Sequence, residues 1–170
     1  GANLVTLAGL VPALLAAFAI AHQHYGVGLI LILVNRLLDG LDGAVARASG
    51  TTDFGGYLDI VADYVFYVSV PLAFGLSTPA NAQASLLLMA SFTLTCASFL
   101  AFAAIAAKRG NETKTHGIKS FFYSTGLAEG FETIAAFVAM CLWPHHFSLI
   151  ASGFAALCLI TVIQRSVIAR

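Results

Sequence analysis

Charge is what this chain has least of. Charged residues fill 9% of its 170 positions, against about 25% in soluble domains. That scarcity excludes a water-soluble globular fold, and a hydrophobic content of 59% with mean hydropathy +0.90 points to a membrane protein. A formal net charge of zero leaves no basic footprint of the kind that nucleic-acid binding needs. Cysteine is sparse as well. Cys96, Cys141 and Cys158 stand singly in apolar runs without metal-ligand spacing and read as small buried hydrophobes. No linker or low-complexity tract interrupts the sequence, so residues 1–170 are expected to form a single domain. The first apolar run lacks a charged n-region and a small-residue cleavage site, so it does not read as a signal peptide. The chain opens on Gly1 rather than Met, which leaves room for a native segment upstream.

Stretches of about 20 apolar residues are long enough to cross a bilayer. They place six helices near 4–21, 27–48, 56–77, 84–107, 121–143 and 147–168. The expected fold is therefore all-α, a polytopic membrane protein with six transmembrane helices. Lys and Arg are missing from three of the connectors. Arg47, Lys108, Arg109, Lys114, Lys119, Arg165 and Arg170 fall on the side shared by the 49–55 loop, the 108–120 loop and both termini. The positive-inside rule makes that side cytoplasmic, termini included.

Against this background five of the eight acidic residues crowd into DGLDGAVARASGTTDFGGYLDIVAD, residues 39–63. Spacings of three and four put Asp39 with Asp42, and Asp59 with Asp63, on single helix faces. All four fall within about 5–15 Å of the cytoplasmic end, and a tight connector between helices 2 and 3 lets them converge. Buried carboxylates need compensation, and intramembrane acids default to functional sites. Oxygen donors without His or Cys suit a hard cation such as Mg2+, Mn2+ or Ca2+. Four of them suit a pair of ions that clamps a transferring phosphate. The plainer reading is a set of acids facing a water-filled cavity. Gly43 and Gly55, each one turn from an acid, allow close approach of a ligand or a backbone. Arg47 suits a phosphate or diphosphate.

These residues resemble the CDP-alcohol phosphotransferases (CDP-alcohol phosphatidyltransferases), integral membrane enzymes of phospholipid synthesis. The family carries D-x2-D-G-x2-A-R-x8-G-x3-D-x3-D, and Asp39, Asp42, Gly43, Ala46, Arg47, Gly55, Asp59 and Asp63 match it. One spacing differs: seven residues, ASGTTDF, separate Arg47 from Gly55. The opening NLVTLAGL is similar to the family's P-N-x-x-T start, with Ala2 in place of proline. The resemblance implies transfer of a substituted phosphate from a CDP-linked donor, most plausibly CDP-diacylglycerol, to a small polar alcohol with release of CMP. It implies two divalent cations, Mg2+ or Mn2+, on Asp39, Asp42, Asp59 and Asp63, with Asp63 also the candidate general base. Gly43, Ala46, Arg47, Gly55, Thr51 and Thr52 would line the CDP site. A cytoplasmic (inner) membrane location with the site facing the cytoplasm follows, and the family's tendency to dimerise makes a homodimer an expectation.

Other charges admit more than one reading. Arg36 lies mid-helix and is expected to pair with Glu129 or Glu132 of helix 5. Alternatively it pairs locally with Asp39 while the glutamates line the acceptor pocket. Arg109, Lys114, His116 and Lys119 either meet lipid headgroups or recognise an anionic acceptor. His22, His24, His145 and His146 lie at the opposite face and read as interfacial residues. Two rival functions share the acids: an intramembrane Mg2+-dependent prenyltransferase and a divalent-cation transporter. The first does not carry the D-G-x2-A-R frame. The second would need a polar path onward, and YVFYVSVPLAFGL after Asp63 holds no further acid.

Overall fold

The computed structural model describes residues 2–108 and 130–169, apart from the side chains of residues 49, 106 and 107. Among the described residues there are six α-helices and no strand: α1 (Ala2–Ala21), α2 (Tyr25–Ser49), α3 (Asp53–Ser77), α4 (Ala82–Lys108), α5 (Gly130–Leu142) and α6 (Phe147–Ala169). Short 3-10 turns at Pro79–Asn81 and Pro144–His146 precede α4 and α6. Each opens on the proline, whose fixed φ suits a first helical position. The beginning of the expected helix at 121–143 lies outside the described residues.

Four helices, α1, α3, α4 and α6, are long and apolar enough to cross a membrane, and the described part of α5 is a shorter apolar helix. α2 matches α3 at 25 residues, about 37 Å of helix. It is set apart only by its charges, Arg36, Asp39, Asp42 and Arg47. Large apolar side chains such as Leu4, Phe18, Leu37, Leu76, Leu149 and Val167 are exposed on the outside of the bundle. In water that surface would be untenable; against lipid it is the expected exterior.

Close packing runs from α2 to α1, α3, α4, α6 and α5, and α5 returns to α2. The described helices therefore form a ring. The tight connector keeps α2 and α3 near enough for Arg36 to reach Asp63, while α1 lies closely against both. Its contact stripe is small, with Gly9, Ala13, Ala16 and Ala19 buried. Small residues let membrane helices approach closely. The side chains of α2 and α3 consequently face each other across a gap at one end.

The connector between them is also shorter than expected. Only Gly50, Thr51 and Thr52 lie between the helices, rather than 49–55. The chain reverses at Gly50 (φ 97°). Thr52 then caps α3, its Oγ1 accepting from the Gly55 backbone N–H at 3.0 Å. That cap satisfies an otherwise orphaned donor and draws Asp53, Phe54 and Gly55 into the helix. Asp53, the remaining acid of the five between residues 39 and 63, is exposed in the first turn of α3. A carboxylate there complements the helix dipole.

The apolar core gathers toward the other end. Phe74 stacks on Phe147 at 4.5 Å and on Tyr25 at 5.5 Å. Phe66, Phe92, Phe137 and Phe154 continue it in edge-to-face contacts. Polar ties close the same end: Gln23 donates to the Ser77 carbonyl, Asn81 to that of Phe74 and Ser85 to that of Pro71. Cys141 and Cys158 are buried, as expected, while Cys96 is partly exposed.

Candidate active site

Three of the four expected metal ligands meet. Asp39 and Asp42 from α2 and Asp59 from α3 each present an oxygen, and these oxygens lie within 4.8 Å of one another. The triad grades from exposed Asp59 through half-buried Asp39 to Asp42, which is 5% exposed. The buried Oδ2 of Asp42 has no hydrogen-bond partner. A carboxylate oxygen removed from water and left unpaired is costly. A buried carboxylate with an orphaned oxygen, grouped with two further carboxylates, fits a hard divalent cation.

Asp63 lies outside that triad and is engaged by Arg36. A single guanidinium nitrogen, Nη1, donates to Asp63 Oδ1 at 3.1 Å and to Asp39 Oδ2 at 3.3 Å. Arg36 Nε and Nη2 both donate to Asn35 Oδ1, at 2.9 and 2.7 Å. The guanidinium also sits over the Phe66 ring, 4.3 Å from its centre. Asn35 is itself buried and donates to the Gly9 carbonyl of α1 at 2.9 Å. Arg36 is thereby held by groups on α2 and α3. Its ion pairs among the described residues run to Asp39, the local alternative, and to Asp63, which neither reading included. Glu132 is exposed at the start of α5, and Glu129 lies outside the described residues.

Two cavities flank the acids. The first, about 630 Å³, is lined by Asp42 and Asp59 and by all six residues expected at the nucleotide: Gly43, Ala46, Arg47, Thr51, Thr52 and Gly55. Asn3 and Thr6 of α1 line it too. The two glycines have specific neighbours. A Cβ at Gly43 would stand 3.2 Å from Arg47 Nη1, and one at Gly55 would stand 3.0 Å from Thr52 Oγ1 and 3.2 Å from Asn3 Oδ1. Gly43 thus leaves room for Arg47, one turn further along α2, to lie back along the helix. Gly55 lets α3 come close to the start of α1.

The second cavity, about 380 Å³, lies on the other side of the acids. Asp59 and Asp63 form one edge, and Tyr64, Tyr67, Thr95, Phe99, Thr133 and Arg165 line the remainder. Arg165 had been counted with the cytoplasmic anchors. It is only 8% exposed, donates to the Thr95 carbonyl at 3.3 Å and lies over the Phe99 ring at 5.6 Å. The signal for it was readable: Phe154, Cys158, Thr161 and Arg165 recur at helical spacing on one buried face of α6. Asn3 and Thr6 were likewise announced by the N-x-x-T opening. The candidate acceptor residues Arg109, Lys114, His116 and Lys119 lie outside the described residues. No histidine joins a metal-capable group among the described residues.

The chain matches the CDP-alcohol phosphatidyltransferase family over residues 1–164. It belongs to that family. The inner membrane protein YnjF of Escherichia coli (strain K12) is 48% identical over 162 residues, 95% of this chain and 79% of that protein. The phosphatidylcholine synthase of Pseudomonas aeruginosa is 35% identical over 79 residues, 44% of this chain and 33% of the synthase. The archaetidylinositol phosphate synthase of Pyrococcus horikoshii is 38% identical over 69 residues, 40% of this chain and 37% of that enzyme. No solved structure matches at comparable stringency. As a CDP-alcohol phosphatidyltransferase the chain falls among membrane-bound transferases of phospholipid biosynthesis.

Proposed function

We propose that the chain is an integral membrane phosphatidyltransferase of one domain, residues 1–170. It moves phosphatidyl from CDP-diacylglycerol to a small polar alcohol and releases CMP, with its termini and site on the cytoplasmic side. Asp39, Asp42, Asp59 and Asp63 would hold two divalent cations, Mg2+ or Mn2+. When bound, these ions neutralise the diphosphate and the charge that builds on departing CMP. The observation that carries this reading is the orphaned Asp42 oxygen in a three-carboxylate triad between two cavities.

The residues divide the work by cavity. Gly43, Ala46, Arg47, Thr51, Thr52 and Gly55 surround the cytidine diphosphate, with Arg47 offering two donors to a phosphate. The second cavity takes the acceptor. Its threonine and tyrosine hydroxyls suit a polyol, and Arg165 suits an anionic substituent such as a phosphate ester. Arg109, Lys114, His116 and Lys119 are assigned to the approach of the same anion. Asp63, on the acceptor side, receives the hydroxyl proton. The acceptor oxygen then bonds to the phosphatidyl phosphorus. The bond from that phosphorus to the bridging oxygen breaks, and its electron pair leaves with CMP.

The test is CMP release by purified protein from CDP-diacylglycerol, with Mg2+ or Mn2+ and a panel of acceptors: glycerol phosphate, serine, inositol and inositol phosphate. Metal-dependent release with at least one acceptor is expected, and silence across the panel sinks the proposal. Asp63→Asn should abolish release while leaving the protein folded; turnover near that of the wild type would remove Asp63 from the role of base.

A further inference from the structure

The acids are not equally open to a cation. Around Asp39, Asp42 and Asp59 a buried carboxylate oxygen is left without a partner. Between Asp39 and Asp63 a cation is already present, because Arg36 Nη1 bridges the two carboxylates as a metal ion would. The gap bounded by Arg36, Asp39, Asp42 and Asp63 has a volume of only about 10 Å³, at the lower limit for a single water.

Arg36 is not free to leave cheaply. Two hydrogen bonds tie it to Asn35, which is anchored to the Gly9 carbonyl, and the Phe66 ring covers its face. A guanidinium is weakly hydrated and permanently charged, which suits it to such a seat. A second divalent ion between Asp39 and Asp63 would meet this fixed positive charge at close range, where Coulomb repulsion is strong.

We propose that Arg36 is a resident cation in the seat of the second metal ion, so that the substrate-free chain holds one divalent cation tightly and a second only weakly. The inference rests on the two-cation reading above and concerns how unequally the two seats are filled. Arg36 acts through Asp39 and Asp63 and is a positioning residue.

Mn2+ titration of the purified, chelator-stripped protein in detergent, followed by electron paramagnetic resonance, tests it without turnover. The wild type is expected to bind one Mn2+ tightly and a second at least about tenfold more weakly. Arg36→Gln should bring the second affinity to within about threefold of the first, and adding Asp63→Asn should remove that gain. Arg36→Lys, which keeps the charge, should retain the wild-type inequality. Should Arg36→Gln fail to fold, two variants that keep the arginine decide the matter. Asp63→Asn alone should leave the tight site within about threefold of wild type. Asn35→Ala, which unties the guanidinium, should tighten the weak site at least about threefold. Two equal sites in the wild type, an unchanged pattern in Arg36→Gln, or loss of the tight site in Asp63→Asn each overturns the proposal. So does an unmoved weak site in Asn35→Ala. Metal-dependent CMP release by the wild type, measured alongside, separates the two claims. Release combined with any of these patterns removes the role of Arg36 alone, whereas no release and no Mn2+ binding removes both.

Discussion

The two ends of the bundle solve opposite problems. At one end Phe74, Phe147 and Tyr25 stack and backbone carbonyls take up buried amide and hydroxyl donors. At the other, two cavities open, and Arg36 of α2 reaches α3 through the Asp63 carboxylate and the Phe66 ring. Within lipid no hydrophobic drive brings helices together, so association depends on packing and polar ties. The aromatic end supplies both, which lets the acidic end remain open and short of partners. Cohesion and chemistry are thereby separated along the same helices, with α2 and α3 taking part in both.

That separation can be broken at either end, and the largest effect is expected at the acids. Asp42→Asn should reduce CMP release at least about a hundredfold. It should not lower the temperature at which buried Cys141 and Cys158 become reactive to a thiol probe, because the oxygen it alters has no partner to lose. A large drop in that temperature would make Asp42 a structural residue. Phe74→Ala is the reverse experiment. Removing a fully buried ring should cost about 3–5 kcal/mol, read as early thiol exposure, while CMP release per folded molecule stays unchanged. Arg165→Gln comes next. Losing one charged hydrogen bond, about 1.5–3 kcal/mol, should raise KM for an anionic acceptor about ten- to a hundredfold and leave Mn2+ binding alone. An unchanged KM would empty the second cavity of its assigned role. Thr52→Ala should be mildest. Loss of the cap costs about 1 kcal/mol, visible as faster amide exchange in the first turn of α3.

How much could be read beforehand depended on whether a feature was local. The helices and the acid faces follow from runs of apolar residues and from spacings of three and four, both fixed within a single helix. Gly43, Ala46, Arg47 and Gly55, which line the first cavity, are named outright by the D-x2-D-G-x2-A-R and G-x3-D-x3-D frames, whereas Thr51 and Thr52 fall in the gap between them. Arg36 was not legible, since its bridge to Asp63 joins positions 27 residues apart and depends on a side-chain torsion. The short connector announces that α2 and α3 bring their acids together, but not that α1 packs closely on both through its small glycine and alanine stripe. Apolar runs alone place the turn too wide, because the Thr52 cap carries α3 back over the Asp53, Phe54 and Gly55 start that hydropathy does not count as helix. Arg165 was hidden by its charge: counted for topology, it was never tested for the helical stripe to which it belongs.

Asp59 has a consequence for inhibition. Among the described residues it is the one carboxylate common to both cavities, so a molecule filling only one of them leaves water against its other side. A compound carrying a cytidine head and a polyol head on a short, non-hydrolysable phosphonate tether would cover Asp59 from both directions. Its second head would bind at an effective concentration set by the tether, in the millimolar range for short flexible linkers. Two individually weak fragments could then combine into one tight ligand, with the tether passing directly over Asp59.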